Sequence, residues 1–192
     1  MNSNELRSGI HRHRIRLILW VSAGLLMGLG AGWSVFFGLT GEYEVAVVEF
    51  GLLLTGGCVA WLTHLRRTRA AFLLVSLVTY VVIGLFSLYF DVPDAVAPRT
   101  SHLFLLVLTL ASLLVLRDEL PVLRWSLTAV LMVTFVVFAS TSWSIPSEFN
   151  IPASVRRIGV WINASTAMLG MLALVHILLT ETAEANTLER DI

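Results

Sequence analysis

The chain has no lysine, one cysteine and only 14% charged residues, against 57% hydrophobic side chains among its 192 residues. So little charge leaves too little polar surface to solvate a globule of this size in water. Without lysine there is no G-x-x-x-x-G-K phosphate loop, and no Ser-His-Asp arrangement falls at one level of the chain, so no catalysis is expected within it. The lone Cys58 can form no intramolecular disulfide and, inside an apolar run, is expected simply to pack. Strands of alternating polarity, the mark of a membrane barrel, are also missing. The formal net charge is zero, and no nucleic-acid partner is expected.

What is present is six apolar stretches, at 15–37, 44–64, 70–90, 102–117, 125–143 and 158–180. A bilayer-crossing helix needs about 20 such residues, and backbone polar groups in lipid must be satisfied within the segment. The sequence therefore predicts an all-α, polytopic bundle of six transmembrane helices, with short loops that make consecutive helices antiparallel neighbours. The first stretch is too long for a signal-peptide core and lacks a cleavage site, so it is expected to be retained. Gly24, Gly28 and Gly32 form a stripe on the first helix where another backbone could approach, and Gly30 lies off it.

Arginine near a helix end resists translocation, so its distribution orients the chain. Arg7, Arg12, Arg14, Arg16, Arg66, Arg67, Arg69, Arg117, Arg124 and Arg190 fall on one face, and Arg99, Arg156 and Arg157 on the other. Both termini are expected in the cytoplasm, with the loops near 38–43, 91–101 and 144–157 outside. Trp20, Trp61 and Trp125 fall near inner ends and Trp33, Trp143 and Trp161 near outer ends, as interfacial belts require.

The histidines sort by level. His11 and His13 join Arg12, Arg14 and Arg16 in a basic tail suited to anionic lipid. His64 and His176 fall toward the cytoplasm, and His102 opens the fourth span outside, at the level of Arg156 and Arg157. Pro152 can open a helical turn that puts Arg156 and Arg157 at a helix N-terminus, where dipole and guanidinium groups favour an anion. Lipid headgroups, Glu148, Asp91 or Asp94 are alternative partners for those arginines. An inward imidazole with arginines at one depth suits haem b: iron on the imidazole, porphyrin among apolar side chains, propionates on the guanidinium groups. A closed zinc site would need four nitrogen or sulfur ligands, and this level offers one histidine. Glu49, more than one turn inside the second span, is expected to face inward, pairing with Arg156 or Arg157 or orienting His102.

His102 at the outer end of the fourth helix, followed by Pro152 and the Arg156–Arg157 pair leading into the sixth, resembles the six-transmembrane haem-sensor domains named for a His-Pro-Arg-Arg signature. Pro98 with Arg99 is a competing placement of part of that signature. The resemblance implies haem b near the periplasmic face of a bacterial inner membrane, redox sensing, and fusion at the carboxyl end to a nucleotide cyclase or another signalling output. It leaves the second axial ligand open among Glu42, Tyr43, Glu44, Glu49, Met168 and a second copy of the domain.

Leu174, Leu178, Glu181, Ala185, Leu188 and Ile192 follow a heptad rhythm running out of the sixth span. Residues 1–180 are thus expected to form the sensor domain and 181–192 the start of a cytoplasmic coiled-coil linker to an output domain, with homodimerisation through that seam. Two other functions fit the same residues. One is a receptor for a lipophilic or anionic small molecule gripped by Arg156, Arg157 and Arg99; the other is a transmembrane electron-transfer cytochrome using His64 and His176.

Overall fold

The computed structural model describes residues 3–93, 97–117, 121–145 and 153–190. They form six helices and, among the described residues, no strand: α1 (Ser3–Thr40), α2 (Tyr43–His64), α3 (Thr68–Tyr89), α4 (Leu103–Val115), α5 (Pro121–Ser140) and α6 (Ala153–Arg190). Stretches Arg12–Thr40, Tyr43–His64, Thr68–Tyr89, Pro121–Ser140 and Ser154–Thr180 are long and apolar enough to cross a membrane. The chain is an all-α, multi-pass membrane protein. The expected fourth span is shorter than the others: α4 has 13 residues. At ~1.5 Å per residue it covers about 20 Å of a hydrocarbon layer about 30 Å thick.

The helices fall into two compact units, Met1–Thr79 and Tyr80–Ile192, with α3 passing from the first into the second. In the amino-terminal unit, α1 and α2 pack antiparallel at very short range. A Cβ added at Gly30 would lie 2.5 Å from the Leu53 nitrogen and 2.7 Å from the Glu49 oxygen, and one at Gly56 would lie 2.8 Å from the Ala23 oxygen. Ser34 Oγ donates to the Ala46 carbonyl at 3.0 Å, tying the same interface nearer the α1–α2 turn. The helix face differs from the expected one: Gly24, Gly28 and Gly32 are exposed and meet nothing within 4 Å, while Gly30 makes the contact. Their spacing made a stripe, but apolar Leu19, Ala23 and Phe37 share a face with Gly30, and that face is buried. Cys58 is likewise exposed rather than packed. Gly56 and Val59 turn toward α1, and a residue two positions from Gly56 is about 200° around the helix from it.

Both helices of this unit end in a Schellman motif. At the end of α1, Glu42 N donates to Phe37 O at 2.9 Å and Gly41 N to Gly38 O at 3.4 Å, with Gly41 at φ 88°. At the end of α2, Arg67 N donates to Leu62 O at 2.9 Å and Arg66 N to Thr63 O at 3.1 Å, and the left-handed position is held by Arg66 at φ 59°. An L side chain there costs about 1 kcal/mol relative to glycine. Arg66→Gly is therefore expected to raise unfolding stability in uncharged detergent by about 1 kcal/mol, and an unchanged or lower midpoint would count against this strain.

In the carboxyl-terminal unit α4 is the central helix, with Leu105, Leu108, Ala111, Leu114 and Val115 all buried. Its polar side chains are satisfied at short range: Thr109 Oγ1 donates to Leu105 O at 2.7 Å, and Ser112 Oγ lies 3.2 Å from Thr128 Oγ1 of α5. Tyr80 OH lies 3.1 Å from Thr134 Oγ1, joining the middle of α3 to α5. On the other side, Asn163 Nδ2 donates to Thr100 Oγ1 at 3.4 Å, and a Cβ at Gly170 would sit 3.2 Å from Val107 Cγ1. Seven residues separate the two contacts on either chain segment, so α4 and α6 run parallel, as the fourth and sixth spans of an alternating bundle must. α6 continues unbroken through Thr180 to Arg190. The side chains of Glu181, Ala185 and Leu188, and all of Ile192, lie outside the described residues; Leu174 is buried and Leu178 exposed.

Candidate functional site

Between α3 and α4 the chain runs non-helically, and Ala97, Arg99, Thr100, Ser101 and His102 are all buried. Irregular backbone at such depth needs internal hydrogen-bond partners in place of water. Asp91 and Arg99 supply them from opposite ends of the loop. Asp91 Oδ2 accepts from Thr100 N at 2.6 Å and Ser101 N at 2.5 Å, holding the approach to α4. Arg99 donates through Nε to Asp91 O at 3.1 Å, and through Nη1 to Phe138 O at 3.0 Å and Thr141 O at 3.1 Å. Its Nη2 donates to Trp143 O, and its guanidinium lies 5.2 Å from the centre of the Phe138 ring. The cation thereby closes the C-terminal end of α5, where carbonyls are unsatisfied and the helix dipole is negative. Burial lowers the pKa of Arg99, and Asp91 acts against that shift. Arginine remains a cation throughout the working range.

Arg99 was expected to grip an anionic ligand; its guanidinium instead serves four backbone carbonyls. What it positions is His102, three residues on. His102 is buried, immediately precedes α4, and lays its ring against Phe135 of α5 with centroids 5.2 Å apart and planes at 32°. Its Nδ1 is buried with no hydrogen-bond partner. An unsatisfied buried nitrogen costs about 1–3 kcal/mol, and Ser87 and Ser101 bond each other, Oγ to Oγ at 2.8 Å, rather than the ring.

The two arginines of α6 part company. Arg156 is half-buried and its Nη2 donates to Val92 O, whereas Arg157, about 100° around the helix, is exposed. Asn163, two turns after Arg156 on the same face, reaches Thr100. The α4–α6 register puts position 165 beside His102, so Arg156 and Arg157 stand ~13 Å farther along α6. The single shared layer expected for the three residues is thus two layers, with His102 the deeper.

The remaining expected residues are placed as follows. Pro152, with Glu148 and Asp94, lies outside the described residues. Glu49 is buried on α2, in the amino-terminal unit. Met168 is exposed, as are Tyr43 and Glu44, while Glu42 is half-buried. His64 and His176 are both exposed, each on the surface of its own helix. Among the described residues no group of three or more His, Cys, Asp or Glu side chains is placed to hold a metal ion. Sequence reasoning passed over Phe135 and Asn163 as parts of this site, and named Asp91 only as an alternative partner for Arg156 and Arg157. Asn163 carried a usable signal, an amide inside an apolar span where an unpaired polar group is costly. Comparison with known family models, with curated proteins and with solved structures finds no match for this chain.

Proposed function

We propose that the chain is a membrane-embedded sensory input module that holds haem b through His102, near the periplasmic face of a bacterial inner membrane. Its state passes along α6 to a cytoplasmic signalling output, such as a nucleotide cyclase, joined at the carboxyl end, and the module acts as a homodimer. No catalytic step is assigned to the chain itself. The observation that carries this reading is the buried, partnerless Nδ1 of His102. A neutral imidazole offers a nitrogen lone pair there, the donor that iron takes, in surroundings of Leu105 and Phe135 that suit a porphyrin. Bound haem would supply one-electron redox chemistry.

The residues of this chain have separable tasks. Arg99 and Asp91 fix the loop so that the imidazole is held against α5. Arg157 would be the exposed cation for a propionate, beside Arg156, which is half-buried with its Nη2 on the Val92 carbonyl. An anionic group held by Arg157 would tie ligand charge to the start of α6. A change at the site then alters how α6 packs and shifts a two-state equilibrium in the output domain beyond it. The arrangement supports the electron-transfer alternative less well, because His64 and His176 are exposed.

The test is an absorption spectrum of the purified protein, oxidised and reduced, after reconstitution with haem. A Soret band is expected in the parent, abolished by His102→Ala and kept by His64→Ala and His176→Ala. A band that survives His102→Ala, or none in the parent, overturns the proposal. The separation of ~13 Å between His102 and exposed Arg157 also fits a lipophilic anion, head on Arg157 and tail toward His102. Colourless protein that co-purifies with an amphiphilic acid would favour that second function.

A further inference from the structure

We infer that the inner end of the α1–α2 pair binds the phosphate group of an anionic phospholipid, with Arg14 and Arg16 of α1 and Arg66 and Arg67 of the following turn as its cationic wall. The register of the pair brings these residues together. Gly30 packs against Glu49 and Leu53, and Gly56 against Ala23 and Met27, in antiparallel order. Continued toward the chain's amino end, that register sets Trp61 level with Trp20 and the Arg66–Arg67 turn level with Arg14. Both tryptophans are exposed, at 44% for Trp20 and 63% for Trp61, one to two turns inside the arginines. Exposed tryptophans on membrane-crossing helices mark the headgroup boundary, so the arginines stand at the depth of the lipid phosphates.

The charge that α1, α2 and the following turn bring to this end is one-signed. Residues 6–41 and 50–90 contain no Asp or Glu, while Arg12, His13, Arg14, Arg16, His64, Arg66, Arg67 and Arg69 crowd this end. Arg66 and Arg67 are exposed, and Arg16 has a buried Nε with no hydrogen-bond partner. With no lysine in the chain, its permanent cations are all arginine, whose planar fork engages phosphate oxygens in pairs where lysine offers a point charge. The backbone adds an independent observation. Arg66 occupies the left-handed position that glycine fills at the end of α1. A side chain kept where it strains the backbone points to a use for that side chain.

The site is tested by thermal unfolding of the full chain in vesicles of phosphatidylcholine alone and of phosphatidylcholine mixed with phosphatidylglycerol, with native mass spectrometry to count bound lipid. The melting temperature of the parent is expected to rise in the mixed vesicles. Arg66→Gly combined with Arg67→Gln should remove about half or more of that rise and the bound phosphatidylglycerol with it. Arg66→Gly alone should melt no lower than the parent in phosphatidylcholine, which separates lost binding from a damaged fold. Arg117→Gln, at a different turn, should leave the rise intact. A full rise in the double variant overturns the inference, as does an equal loss in Arg117→Gln, which would mean undirected surface charge. An equal rise from inorganic phosphate in phosphatidylcholine would also overturn it, by assigning the site to the free anion.

Discussion

Arg99→Ala is expected to destabilise the carboxyl-terminal unit by about 3–5 kcal/mol, the range for removing one partner of a buried charged network. The alanine leaves the carbonyls of Asp91, Phe138, Thr141 and Trp143 without their donor and opens space beside the Phe138 ring. Arg99 is buried, so water has little access to replace the lost donor and the loss is not softened as it would be at an exposed surface. Arg99→Lys keeps the charge but concentrates its donors on one nitrogen, which cannot reach acceptors spread over the ends of two helices. It should recover less than half of the lost stability. Thermal unfolding in detergent reads both variants. Full recovery by lysine would mean that charge alone matters and that the planar fork does not.

The second large effect is at Gly30. An added Cβ meets two backbone atoms, Leu53 N and Glu49 O, and backbone in the middle of a helix does not yield as a side-chain tip does. Gly30→Ala should therefore cost about 3 kcal/mol, the upper end of overpacking effects. Gly24→Ala, Gly28→Ala and Gly32→Ala meet nothing within 4 Å and should be neutral or gain up to about 1 kcal/mol from helix propensity. The contrast between chemically identical substitutions on one helix is the measurement. Equal costs at Gly28 and Gly30 would show that the exposed stripe is packed in the membrane, for instance against another chain.

These two residues also mark how far the amino-acid pattern reaches. Long apolar runs fix helices, because lipid leaves the backbone no other way to satisfy itself, and five of the six runs emerge as full-length spanning segments. The glycines show where pattern stops. Periodicity reveals which residues share a face, but which face is buried depends on what the partner helix brings, here Gly56 and the carbonyl of Glu49. His102 was legible as a buried imidazole because it is a polar residue at the edge of an apolar run. The employment of Arg99 was not, since its acceptors Phe138, Thr141 and Trp143 are main-chain oxygens some 40 residues away and main-chain oxygens leave no trace in side-chain identity. The shared depth of His102 with Arg156 and Arg157 failed for a related reason. Loop residues were counted as if at the membrane surface, while Asp91 and Arg99 allow this loop to descend.

The shortness of α4 gives that descent an electrical meaning. If Arg117 marks one boundary of the hydrocarbon, 13 helical residues rise only about 20 Å, which would put His102 roughly 10 Å below the opposite boundary. A proton or electron reaching it from the nearer face crosses about a third of the transmembrane field. Moving one charge across the whole field is worth about 2.3 kcal/mol per 100 mV, which makes occupancy of this position worth about 0.8 kcal/mol for the same voltage. At that depth, the midpoint of a charge-changing event at His102 would be coupled to how energised the membrane is.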